Sequence, residues 1–414
     1  MLSEFFDSAA RIRVLRSGLA GALVEGFARA LWQAGYAEIT ARRHLRAAEH
    51  FVCWADGNDT LIRSLTEQAV NRFGRHLPRC RCPGYGHADR SLLHGVRLFL
   101  RHLEVAGIIK VAAVASSVSD PALLVAFCRW MRQQRGTSDS TLSNYGIRIR
   151  ELLRRLGEEP EKFDARSLRQ FVIEGSQAYG WATAKKLTTA LRMFLRFLIA
   201  EGKCPAGLEG AVPVLAHWRL ASLPRYLQPD EVERLIGSCD PASLIGRRDR
   251  AILLLLARLG LRAGDIVQLR LHDIDWKGGW IHVSGKGRRH TWLPLSDEVG
   301  QALVGYVKEG RPQVDTDAFF VRCRAPFRAF RSHCAISVIV DRALRRARVA
   351  RPSRGAAHLL RHSVATSMLR QGASLHEVAT LLRHRSTTTT QIYTKVDVTA
   401  LRQIAQPWPE VQPC

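Results

Sequence analysis

The 414 residues carry 62 Lys+Arg against 37 Asp+Glu, a formal net charge of +25, and 46% of them are hydrophobic. Such a chain can bury two or three domain cores and is neither disordered nor fibrous. Its cationic surplus exceeds what solubility needs and points to a polyanionic partner; nucleic acid is favoured over membrane because no basic amphipathic anchor stands out.

The first segment, MLSEFFDSAARIRVL, has early acidic residues and no continuous apolar core, so it does not resemble a signal peptide. Nine cysteines without regular spacing suit reduced thiols, and the expected location is the cytoplasm, in association with the nucleoid. Residues 1–112 show apolar positions at helical spacing and are expected to form a helical bundle. Within it, RCRCPGYGH brings Cys80 and Cys82 near His87, and Cys53 could join them in space. C-x-C is tighter than the usual C-x-x-C knuckle and no fourth ligand is evident, so a loop with free thiols is favoured. No metal and no cofactor are expected.

An internal repeat follows. VRLFLRHLEVAG (96–107) realigns on LRMFLRFLIAEG (191–202) at an offset of 95 residues (191 − 96), matching Arg97 with Arg192, Phe99 with Phe194, Arg101 with Arg196 and Gly107 with Gly202. LVEGFAR (23–29) likewise matches LLVAFCR (123–129), and ITARRHLRAAEHF (39–51) matches STLSNYGIRIREL (140–152). The second copy is expected over 119–204, with Lys185, Lys186, Arg192 and Arg196 as candidate DNA contacts. Linkers are expected at 110–120 and 204–226, both rich in small residues.

A third domain is expected over 222–414, opened by Pro229, Asp230 and Glu231 at a helix start. The run AILLLLARLGL (251–261) is too short to span a bilayer and is broken by Arg258, so a buried helix is expected. Further helices are expected near 264–270, 296–309, 333–349, 357–371 and 374–383, with one antiparallel hairpin at 280–295. The fold class is therefore mainly α with a small antiparallel β-sheet. A short amphipathic helix is expected in the tail at 398–405, with Leu401 and Ile404 buried against a neighbouring protomer or against its own domain.

Six residues of this last region carry the chemistry: Arg262, Lys286, His358, Arg361, His384 and Tyr393, in the strings GLRAGD, GKGRRHTWLPL, HLLRHSVATSML and LLRHRSTTTTQIYTKV. Phosphodiester transfer without a metal gathers negative charge on phosphate oxygens, which fixed cationic donors must meet; Arg binds two oxygens at once and stays protonated. His358 and Arg361 share one helix face, His384 can donate to the same oxygens, and Lys286 at a hairpin tip can protonate a leaving 5′-oxygen. Arg288 beside it is a further candidate DNA contact. Tyr393 supplies a nucleophile whose phosphotyrosyl ester stores the bond energy for rejoining. Each residue taken alone has a blander explanation; the ordered set does not.

In this order and spacing the chain resembles the tyrosine recombinases of the phage-integrase family over about residues 222–400, with the segment ahead resembling their helical core-binding domain. The resemblance implies a DNA clamp and gives Asp265 the task of bracing the arginines. It implies action on double-stranded DNA at an inverted-repeat site, with a dimer on each site and a tetramer at synapsis, built from this chain alone or with partner recombinases. Cleavage and rejoining would pass through a 3′-phosphotyrosyl intermediate and a Holliday junction, with His358 helping as base, in the service of a mobile element. Arg383 stands where the family usually has Gly, and Ser367 where a second His is common. A type IB topoisomerase-like strand relaxation and a catalytically silent DNA-binding accessory protein stay open as alternatives; a ribonuclease would leave Tyr393 without a task.

Overall fold

A computed structural model describes residues 1–18, 21–82, 84–85, 92–109, 120–215, 224–285, 289–350, 355–384 and 386–396. Lys286, Arg288, His87, linker residues 110–119 and 216–223, and the tail with Leu401 and Ile404 lie outside the described residues. By contacts the chain divides into two compact units, 1–110 together with 220–414, and 111–219.

Within the first unit, α1 (Ala9–Ser17), α2 (Gly21–Gln33), α3 (Glu38–Asp56), α4 (Glu67–His76) and α5 (Leu93–Val105) enclose a core that includes Phe27, Leu45, Phe51, Phe73 and Phe99. The second unit holds α6 (Ala122–Arg135), α7 (Asp139–Leu156), α8 (Ala165–Ala178) and α9 (Trp181–Ala200) around Phe127, Ile149, Leu168 and Phe194. Local chemistry starts these helices where it should: the Asp164 carboxylate accepts from the backbone N–H of Arg166 and Ser167 at the head of α8.

The two aligned strings end alike. After α5 the backbone N–H of Gly107 donates to Glu104 and that of Ile108 to Leu103; after α9, Gly202 donates to Ile199 and Lys203 to Leu198, each pair displaced by the same 95 residues (202 − 107). Both glycines are left-handed, at φ +68° and +67°, a conformation that only glycine adopts without cost. Inside each helix the matched phenylalanine makes an edge-on ring contact with its partner: Phe27–Phe99 at 5.3 Å and Phe127–Phe194 at 5.5 Å.

Residues 224–396 build α10 (Pro229–Gly237), α11 (Leu244–Ala257), α12 (Ala263–Gln268), β1 (Ile274–Asp275), β2 (Trp280–Gly285), β3 (Arg289–Pro294), α13 (Asp297–Gly305), α14 (Cys334–Arg346), α15 (Ala356–Arg370), α16 (Leu375–Leu381) and α17 (Thr387–Thr390). The three strands form one antiparallel sheet in the order β1-β2-β3, with Ile281 opposite Leu293 and Val283 opposite Thr291. The expected hairpin is present; β1, two residues long, is too short for alternation to reveal. Ile252 through Leu256 of α11 are fully buried, as expected of the apolar run. That helix stops at Ala257 rather than near 260, because the chain turns through Gly260 at φ +57°. Among the described residues no helix is long and apolar enough to cross a membrane.

Candidate active site

Gly260 is where the site begins. A Cβ at this position would lie 2.8 Å from the Leu382 side chain on a backbone already left-handed, so the close approach needs glycine. The Gly260 carbonyl accepts a hydrogen bond from Nη1 of Arg361, and the Leu382 carbonyl accepts from Nη2 of the same guanidinium. Arg361 sits mid-α15 and is 5% exposed. Arg262, at the head of α12, reaches from the other side: its Nη2 lies 3.4 Å from the Leu382 carbonyl and 3.3 Å from that of Arg383. One carbonyl thus orients both catalytic candidates.

Asp265, 5% exposed, closes the group. Its Oδ2 accepts from the Arg262 backbone N–H at 3.0 Å and from Nη2 of Arg383 at 2.6 Å. Arg383 itself adopts φ +52°, which accounts for glycine's suitability at this position and for strain on any other residue. Its side chain turns inward, 9% exposed, rather than to solvent. Nε and Nη1 of Arg383 are buried and have no acceptor among the described residues. Burial pushes the Arg361 pKa down, and Arg262 and Arg383 push it further. Three neighbouring guanidiniums with a single carboxylate among them leave a surplus of positive charge, the electrostatic shape of an oxyanion receptor.

Tyr393 lies on the 3-10 turn Gln391–Val396 and is 2% exposed, packed with Ala365, Leu369, Val378 and Leu382. Burial pushes its pKa up to about 12, with Arg361 pulling the other way. The hydroxyl pairs with Nδ1 of His362 at 2.8 Å, the rings 5.5 Å apart. His362 was not among the sequence candidates. The signal was available: it follows Arg361 in HLLRHS and stands one helical turn after His358. The ring that meets the tyrosine hydroxyl is therefore His362, one turn along from His358.

His358 stands at the exposed edge of α15. Partial desolvation by the surrounding protein and then the Arg361 and Arg262 charges hold its pKa below the ordinary value. His384 places Nδ1 2.8 Å from Oγ1 of Thr390. Burial first, then Arg361, Arg262 and His362, bring its pKa down to about 4, so at neutral pH it is an uncharged ring. Where the Thr390 hydroxyl donates to Nδ1, the Nε2–H is left as a donor.

Lys286 falls in sequence between β2 and β3 and lies outside the described residues. β2 and β3 themselves are pinned by Asp273 Oδ1, 2.9 Å from Nδ1 of His282, whose Nε2 is 3.1 Å from Nδ1 of His290. Of the expected DNA contacts, Lys185, Lys186 and Arg196 are exposed on α9, with the Lys185 ammonium 5.0 Å above the Trp181 ring. Arg192 is half-buried, and its Nη2 donates to the carbonyls of Val212 at 2.9 Å and Pro213 at 3.0 Å.

Comparison with known proteins matches residues 225–399 to the phage integrase family and residues 124–202 to the phage integrase N-terminal SAM-like domain. The protein provisionally named integrase/recombinase y4rA, from Sinorhizobium fredii, is 36% identical over 387 residues, covering 92% of this chain and 93% of that protein. The tyrosine recombinase XerC of Oceanobacillus iheyensis is 36% identical over 231 residues, covering 54% of this chain and 72% of its own. The solved XerH site-specific recombinase, bound to palindromic difH substrate after cleavage, superposes with a TM-score of 0.57 at 19% identity, covering 70% of this chain and 97% of that one. The first helical bundle precedes both family matches.

Proposed function

The chain belongs to the phage integrase family of tyrosine recombinases and is a tyrosine-type site-specific DNA recombinase, and on that premise we propose how its own residues divide the reaction. Arg262 and Arg361 grip the non-bridging oxygens of the scissile phosphate, and Arg383 adds a third guanidinium from the position where glycine is usual. The observation that carries this reading is the cluster itself: the Arg262 and Arg361 guanidiniums meet on the Leu382 carbonyl, and the Arg383 guanidinium is held beside them by Asp265. A phosphate entering there meets charge-assisted donors already held by backbone carbonyls, at little reorganisation cost.

Tyr393 attacks phosphorus, the bond to the 5′-oxygen breaks, and the DNA 3′-phosphate stays on the phenol. Lys286 donates the proton that the departing 5′-oxygen takes up. His384 and His358 donate to the phosphate oxygens. The phenol proton leaves toward His362, the ring already hydrogen-bonded to it. A 5′-hydroxyl from the partner duplex then attacks the phosphotyrosine and gives its proton to Lys286, the P–O bond to Tyr393 breaks and the phenol takes its proton back from His362; a second round of the same chemistry resolves the Holliday junction. Because the ester conserves the bond energy, no nucleotide cofactor is consumed.

In this scheme each inverted-repeat site takes two protomers and synapsis takes four, serving the movement of a DNA element. The palindromic substrate of XerH and the integrase/recombinase name of y4rA support that assignment. The segments 1–112 and 119–204 act as duplicated helical modules, the second clamping DNA through Lys185, Lys186 and Arg196. The test is a two-site plasmid whose product reports exchange of flanking DNA. Recombinant product is expected; relaxation of supercoils alone, without exchange, would assign the chain to strand relaxation instead.

A further inference from the structure

The first helical bundle holds a cluster that recombination chemistry does not use. His50 projects from α3, His76 closes α4, and Cys80 and Cys82 follow the 3-10 turn Leu77–Arg79. Their four ligand atoms all lie within 4.8 Å of one another. Nε2 of His50 is 3.2 Å from Sγ of Cys80, and Nε2 of His76 is 3.4 Å from Sγ of Cys82. Zinc bound at ordinary Zn–S and Zn–N lengths in a tetrahedron has ligand-to-ligand edges of about 3.3–3.8 Å. The side chains therefore stand almost at coordination distance around one point.

We propose that His50, His76, Cys80 and Cys82 bind a structural zinc ion that staples α3, α4 and the segment after α4 together. The donor set is two thiols and two imidazoles, the soft mixed set that selects tetrahedral zinc. Zn2+ with two thiolates is neutral, which suits a site where His50 is 2% and Cys80 5% exposed. On binding, the Cys80 and Cys82 thiols give their protons to solvent and form Zn–S bonds, while each imidazole gives a lone pair; nothing is oxidised. The Cys82 backbone N–H already points at Sγ of Cys80, at 3.4 Å, a donor for a thiolate.

Aromatic rings flank the cluster. The His50 ring stacks on Tyr85 at 4.2 Å with 4° between planes, and meets Phe73 edge-on at 4.9 Å. His76 packs against Phe73 and Trp54, with ring centres 6.0 and 6.1 Å away. No position remains on this arrangement for a substrate, so the ion holds structure rather than catalysing. Cys53, one turn after His50 on α3, is not one of the four and serves as the control.

The full-length chain is purified without chelators, any affinity tag is removed, and bound metal is measured by inductively coupled plasma mass spectrometry. About one zinc per chain is expected, retained in C53S and lost to background in C80S/C82S. Background zinc in the wild type after dialysis against zinc overturns the proposal. So does zinc retained by a folded C80S/C82S chain, or a Cys80–Cys82 disulfide in place of metal. Should the double variant fail to fold, Co2+ loaded into the wild type decides. Intense visible bands with a thiolate-to-cobalt transition support the site; the weak spectrum of octahedral cobalt overturns it.

Discussion

Nη2 of Arg383 lies 2.6 Å from Oδ2 of Asp265, both side chains buried, and the arginine makes this contact from a left-handed backbone at φ +52°. A carboxylate that also accepts from the Arg262 N–H is thereby shared between two arms of the phosphate receptor. Strain at one residue is exchanged for a third guanidinium in the site.

Two substitutions separate these contributions. Arg383→Ala removes the pair and leaves the backbone strained; Arg383→Gly removes the pair but relieves the strain. Both should destabilise the chain by about 1–3 kcal/mol, the loss of one charge-assisted hydrogen bond to a buried carboxylate that keeps the Arg262 N–H. Glycine should be the milder by about 1 kcal/mol. Thermal unfolding of the two variants measures the difference, and an alanine variant as stable as the glycine variant would contradict the strain argument.

Arg361→Ala should reduce cleavage by about 10²–10³-fold, the usual cost of one transition-state donor, with a much smaller change in DNA affinity. Arg361→Lys should not restore it, because an ammonium cannot span the carbonyls of Gly260 and Leu382 while holding a phosphate. Single-turnover cleavage beside a binding titration distinguishes the two effects. A loss confined to binding would demote Arg361 to a backbone contact.

Lys286→Ala should stall cleavage of ordinary DNA yet cleave a substrate whose bridging 5′-oxygen is replaced by sulfur, since a thiolate departs without an acid. Cleavage rates on the two substrates check it. No rescue by sulfur would remove the general-acid role from Lys286.

Acid should weaken the fold in a defined window. Burial, then His94 and Arg43, push the His44 pKa down to about 4, and the ordinary value is about 6.5. Between those values the unfolded chain binds a proton that the folded chain does not. Stability is therefore complete above pH ~6.5 and is lost as pH falls toward 4, by at most about 2 kcal/mol from His44 at pH 5. His362 and His384 act in the same direction. Melting temperature measured from pH 7.5 to 5 should fall, and His44→Gln should flatten the fall. A curve with the same slope in both proteins would contradict the assignment.

Much of this was legible in the sequence because it was local or ordered. The apolar run of α11, the hairpin and the glycine-ended repeat each depend on a few adjacent residues. The arginines, His384 and Tyr393 announce themselves by type and order, and the structure brings Arg262, Arg361 and Asp265 to one place. What escaped depends on contacts distant in sequence. The partnership of Arg383 with Asp265 spans 118 residues, and nothing local says that its side chain turns inward. His362 was overlooked because its neighbour Arg361 fills the expected pattern. His50 joins Cys80 and Cys82 only through the packing of α3 against α4, whereas His76, four residues before Cys80, is a local signal that the expectation built on His87 passes over.

The central claim is that Tyr393 is the nucleophile, and trapping the covalent intermediate tests it most directly. The wild type and Tyr393→Phe are each incubated with nicked site DNA that loses its 5′-hydroxyl fragment on cleavage, then denatured and resolved by mass. A protein–DNA adduct is predicted for the wild type, mapping to Tyr393 at a DNA 3′-phosphate, and none for Tyr393→Phe despite equal DNA binding. Adduct in the Tyr393→Phe chain would place the nucleophile on another residue and contradict the account.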